Sequence, residues 1–249
     1  MATRSDATGD LKDPMAFMEQ MEKWSKEPLL PELEGYVEES ATFGKMLRHP
    51  LIYEIPLMLP GRSNEGYRQK KAHLEEAIRE GDWHRAVFLH ERPYRTWALI
   101  EYIVGRYDDE GGDPIPLSQH AQSVRDLAAD VWVDSENLEQ HVAEWDAMLA
   151  DADGLVLASE REIEEFAALP DVLTLYRGDI EDGGYSWSLD PKIAHFFAHR
   201  FNASDPLVSG EVDKSAAIGY LSRRGESEVL VPRGAVRNVK PFEYVKEES

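Results

Sequence analysis

The 249-residue chain contains no cysteine, so disulfides, thiolate metal ligands and a cysteine nucleophile are all excluded. Basic charge is scarce: 27 Lys and Arg stand against 48 Asp and Glu, a formal charge of -21. Such a surplus repels phosphate backbones and disfavours nucleic acid as a partner. It suits a cationic substrate or partner equally well as a purely solubilising surface. Long apolar runs are also missing, since the longest, from Leu51 to Leu59, is interrupted by Glu54 and Pro56. With no apolar signal region near the start, these features predict a cytoplasmic protein without a membrane span.

What is present is enough apolar residue for a sizeable core, distributed with a changing period. Residues 1–63 are acidic and proline-interrupted, and predict a tail with one or two short helices. Residues 64–170 carry helical stripes. Leu74, Ala77 and Ile78 precede Gly81, and Trp97, Ile100, Ile103 and Val104 precede Gly105. Ser118 is a candidate cap for a helix with Val124, Leu127, Ala128 and Val131. Leu138, Val142, Trp145 and Leu149 mark another helix, and Ser159 starts a third that ends at Pro170.

Residues 171–249 shift to a period near two. Strands are predicted at 172–176, 185–189, 207–212, 217–221, 226–231 and 236–245. A helix opening on Asp190-Pro191 and running to about Phe201 is inserted among them. The predicted fold class is α+β, a helical N-terminal block packed on a mostly antiparallel sheet.

Three short motifs follow one another in the strand-rich part: Tyr176-Arg177-Gly178, Ser186-Trp187-Ser188, and Glu226-Ser227-Glu228. Their order and strand contexts resemble the Arg, Ser-x-Ser and Glu-x-Glu triad of the arginine-directed ADP-ribosyltransferases, over about 75 residues. The resemblance implies a split sheet of that family's type. It also implies NAD+ as substrate, no metal, and a protein acceptor of ADP-ribose. Arg177 would then offer a planar fork of donors to the pyrophosphate, and Gly178 would leave room for the dinucleotide. Ser186 would hold the catalytic glutamate and the nicotinamide ribose, and Glu228 would stand at the reacting ribose. Glu226 would hold the acceptor, in that class an arginine.

Each assignment has a structural alternative. Arg177 fits a strand-end salt bridge, Ser188 a helix cap as well as a cofactor contact, and Glu226 a partner for Arg223 or Arg224. Phe196, off the apolar stripe of the inserted helix, is a candidate for the nicotinamide pocket, whereas Ile193, Ala194, Phe197, Ala198 and Phe201 form its core stripe. His195 and His199 have a metal pair's spacing without a third ligand, which favours a solvated helix face and leaves a metal-dependent hydrolase as the remotest reading. The interval between Arg177 and Ser186 is short for the family. Trp132, Glu136 and Asn137 are therefore candidates to complete the cleft from the helical block, with helix capping as their other role. Segments 87–95 and 186–201 resemble stretches of bacterial and phage proteins with the same tail, a likeness that names no substrate. Two functional alternatives stay open beside the transferase: an NAD+ glycohydrolase, with water as acceptor, and a non-catalytic NAD- or protein-binding module on a degenerate transferase fold.

Overall fold

The computed structural model describes residues 14–108, 112–135, 138–178, 184–200 and 206–244. The chain groups into two compact units that divide between Ala98 and Leu99. The texture changes near residues 63 and 170 are therefore not the division between them. The helices from Gln122 to Ala167 share a unit with the C-terminal sheet.

The first unit holds α1 (Pro14–Lys26), α2 (Pro31–Glu34), β1 (Val37–Ser40), β2 (Gly44–His49), β3 (Ile52–Glu54), α3 (Pro60–Glu80) and α4 (Trp83–Phe88). β1, β2 and β3 form an antiparallel sheet in that order, where the sequence predicted only a tail with short helices. Val37-Glu38-Glu39-Ser40 has no apolar alternation to announce a strand. Its ladder to β2 makes it one, turning through Gly44 at φ +69° while the Ser40 hydroxyl accepts the Thr42 and Phe43 N–H groups. Leu33, Leu47, Leu51, Ile52, Tyr67, Leu74 and Ala77 supply this unit's core. α3 stops at Gly81, whose φ of +70° gives a left-handed C-cap.

α5 (Arg95–Leu99) runs into a π-helical turn, Ile100–Val104, closed by Gly105. The second unit continues with α6 (Gln122–Asp134), α7 (Val142–Met148) and α8 (Glu160–Ala167). Ser118 lies in a short 3-10 turn and does not cap α6, which begins after Ala121 without a side-chain cap. Ser159 does cap α8, with Glu162 completing a reciprocal capping box.

β4 (Val172–Gly178), β5 (Ser186–Ser188), α9 (Pro191–Ala198), β6 (Leu207–Asp213), β7 (Gly219–Leu221), β8 (Glu228–Leu230) and β9 (Arg237–Pro241) follow. The six strands pair antiparallel in the order β7-β8-β5-β4-β6-β9. The fold is thus α+β with two antiparallel sheets. The six-stranded sheet is uneven: β4 and β6 share seven ladder pairs, whereas among the described residues β4 and β5 form a ladder pair only at Tyr176 and Ser188. Two three-stranded halves therefore meet at a narrow seam. Leu173, Leu175, Trp187, Val212, Val229 and Val231 pack as the core on one face of the sheet. Among the described residues no helix is long and apolar enough to cross a membrane.

Candidate functional site

Cross-strand partners share a sheet face, so the register assigns the site's side chains. Ser188 lies opposite both Tyr176 and Glu228, which puts these three, with Ser186, on the face away from the main core. α9 packs on that face through Ala194 and Ala198, against Tyr176, Leu207 and Phe242. Asp190 caps α9 by accepting the Lys192 N–H, and Pro191 takes its first position.

An open cleft of about 380 Å³ lies at the seam. Arg177, Gly178, Ser186, Ser188, Glu226 and Glu228 all line it, so the structure brings the three sequence motifs to one place. Trp132 and Ser135 join them from the end of α6, and Ile193, Phe197 and Arg200 from α9 and the turn after it. Of the predicted lining residues, Phe196 is not there. It is 61% exposed, while Phe197, assigned to the core stripe, faces the cleft. Ala194 and Ala198 are the α9 residues that reach the sheet, and Phe197 lies one residue from Ala198 on that side. Glu136 and Asn137 lie outside the described residues.

Glu228 is half-buried and held by two donors. The Trp132 indole N–H reaches its Oε1 at 3.2 Å, and the Ser186 hydroxyl, on the same sheet face, also favours its ionised form. Burial pushes the Glu228 carboxyl above the ordinary carboxylate range. The two donors pull it back, and the neighbouring Glu226 adds to the rise. Of the two serines, only Ser186 serves Glu228. Ser188 is buried, donates to the Glu226 carbonyl at 3.0 Å and accepts the Asp190 N–H at 3.0 Å, joining β5 to both flanking loops.

Glu226 reaches the cleft by a different route from the shared strand face that its spacing suggests. β8 begins only at Glu228, and Ser227 breaks the alternation with a φ of +47°, just after Gly225 at +71°. A non-glycine residue in the left-handed region costs about 1–3 kcal/mol and concentrates at functional loops. Among the described residues the Glu226 carboxylate has no hydrogen-bond or ion-pair partner. Arg223, one of its candidate partners, bonds Glu162 and Asp130, and Arg224 pairs with Asp134 at 3.4 Å.

Arg177 belongs by register to the core face, two residues beyond Leu175. Its guanidinium lies 5.2 Å from the Trp187 ring at the sheet's end, where the cleft opens. Nη1 donates to the Gly184 carbonyl at 2.8 Å and Nε to that of Gly178 at 3.2 Å. Backbone carbonyls thus take part of the donor fork and fix its plane.

The clamp beneath the site was not foreseen. Glu162, 2% exposed, accepts from both Arg223 Nε and Nη2, from the Ser159 N–H and hydroxyl, and from the Ser222 N–H. Burial alone would raise its pKa, but the Arg223 guanidinium and the serine donors overcome that and hold it at about 2. The clamp ties α8 to the start of the loop that carries Glu226 and Glu228. Arg223, just ahead of Gly225 and Glu-x-Glu, is its sequence signal. His195 and His199 have ring centroids 4.1 Å apart, and no cluster of three metal-ligating side chains occurs among the described residues. Comparison with protein-family models, curated proteins and solved structures finds no match.

Proposed function

We propose that the chain is an NAD+-dependent mono-ADP-ribosyltransferase that moves ADP-ribose to a protein side chain, with arginine as acceptor, and releases nicotinamide. One observation carries this reading. Arg177, Ser186 and Glu228, taken from separate motifs, line one cleft with Glu226, whose carboxylate has no hydrogen-bond or ion-pair partner among the described residues. The volume of about 380 Å³ falls within the range of about 300–1,000 Å³ found for ligand sites.

In this reading Arg177 binds the pyrophosphate, and Gly178 lets the dinucleotide pass close to the backbone. Phe197, rather than Phe196, offers the apolar wall beside the nicotinamide. As the bond between nicotinamide nitrogen and ribose C1 breaks, positive charge develops on the ribose. The Glu228 carboxylate stabilises that charge while accepting a ribose hydroxyl. The acceptor nitrogen bonds C1, nicotinamide leaves with the bonding pair, and Glu226 takes the acceptor's proton. Losing the Glu228 charge costs about 3–4 kcal/mol of transition-state stabilisation, a factor of a hundred to a thousand.

Incubation with labelled NAD+ and a bacterial lysate tests the proposal. Wild type transfers label to protein and releases nicotinamide, and folded Glu228→Gln does neither. Equal transfer by the two proteins would overturn the site. Free ADP-ribose without labelled protein would select the glycohydrolase, and NAD+ binding in calorimetry without nicotinamide release would select a binding module.

A further inference from the structure

We propose that Trp132 is a positioning residue for Glu228, holding the carboxylate by its indole N–H from a helix outside the sheet. Its effect on turnover rests on the transferase reading, but its effect on Glu228 does not.

The two donors to Glu228 differ in kind. A serine hydroxyl donates or accepts and so suits either protonation state of the carboxyl. An indole N–H can only donate, so the Trp132 contact at 3.2 Å favours the ionised form that the chemistry uses. Trp132 is itself locked. It is 5% exposed, packs edge-on against Trp145 at 5.0 Å and lies 6.4 Å from Tyr185, whose hydroxyl bonds Asp146 at 2.9 Å. α6 is also fastened to the Glu228 loop on both sides of this contact, through Asp130 to Arg223 and Asp134 to Arg224. The indole and its acceptor are therefore held in register by two ion pairs. Around Glu228 the charged groups are Glu226 and Arg224 on its own loop, Arg177 at the end of β4 and Arg200 after α9.

Trp145 supplies a matched control. It is 2% exposed, touches Trp132, and its own indole N–H has no hydrogen-bond partner among the described residues. Trp132→Phe and Trp145→Phe thus exchange similar buried rings, but only the first removes a donor from Glu228.

The experiment is a ¹³C NMR titration of the Glu228 carboxyl in the full chain, assigned by its loss in Glu228→Gln. Trp132→Phe should move the Glu228 titration to higher pH, and Trp145→Phe should leave it in place. In nicotinamide release, Trp132→Phe should lower kcat about tenfold or more with KM little changed, and shift the acid limb of the pH profile upward. Equal titration shifts in the two variants, or none in Trp132→Phe, would overturn the proposal. If Trp132→Phe fails to fold, the wild-type Trp132 indole proton decides. Its resonance should follow Glu228 ionisation and lose that pH dependence in Glu228→Gln, and a resonance indifferent to pH refutes the contact. An upward shift without any nicotinamide release by wild type would sink the transferase reading and leave the role of Trp132 standing.

Discussion

Replacing Glu162 by Gln tests how the site's loop is anchored. The substitution keeps the shape of the side chain but removes the charge that Arg223 and the serine donors satisfy. The Glu162 carboxyl is held at about 2 against its ordinary 4.5. At about 1.4 kcal/mol per pH unit, that lowering is worth about 3 kcal/mol of native-state stability at neutral pH. Because the folded pKa is depressed, the contribution is complete above 4.5 and is lost as pH falls toward 2. Glu162→Gln should therefore destabilise the second unit by about 3 kcal/mol at pH 7, lowering its melting midpoint by about 10 °C. The gap to wild type should narrow below pH 4.5 and close near pH 2. Urea titrations at several pH values, followed on the amide resonances of β4 and β6, report this unit alone. A difference that stays constant from pH 7 to 3, or one below about 1 kcal/mol at pH 7, would refute the clamp as derived.

Glu228 carries the opposite sign. Its folded pKa is raised by burial, so it favours the native state below the ordinary carboxylate range and loses that contribution as pH rises through the folded pKa. Glu228→Gln should be inactive yet melt higher than wild type at pH 7, by scanning calorimetry, and the wild-type rate should fall on acidification at a pH above that of a solvent-exposed carboxylate. Glu226→Gln should suppress label transfer to protein while sparing hydrolysis of NAD+ to free ADP-ribose, read by chromatography of the products. Phe197→Ala should raise KM for NAD+ several-fold in steady-state kinetics, whereas Phe196→Ala, at a side chain 61% exposed, should leave it unchanged.

Where local chemistry decided the outcome, the sequence was readable. Leu173 and Leu175 alternate into the core, Asp190-Pro191 opens α9, and Ser159 with Glu162 builds the capping box. The strands of the first unit were hidden because Glu38 and Glu39 bury nothing, and only pairing with Met46 and Lys45 makes them a strand. Within the site, the three motifs expected to act together do line one cleft. Trp132 was a candidate to complete the cleft from the helical block and does line it, but nothing in the local sequence says that α6 reaches Glu228. Phe196 and Phe197 differ by one step of helix phase: periodicity put Phe197 on the inward stripe, and it is that stripe, not the exposed Phe196, that lines the cleft. Glu226 was placed by strand parity, which Ser227 breaks with its positive φ.

The seam at Tyr176 and Ser188 has a mechanical consequence. One half of the sheet carries Arg177 and the other Ser186 and Glu228, and among the described residues one ladder pair joins them. Opening that pair sacrifices few ladder bonds, whereas the seven-pair contact between β4 and β6 stays whole. The β4–β5 junction is thus where this sheet has the fewest ladder bonds, and it lies against the cleft.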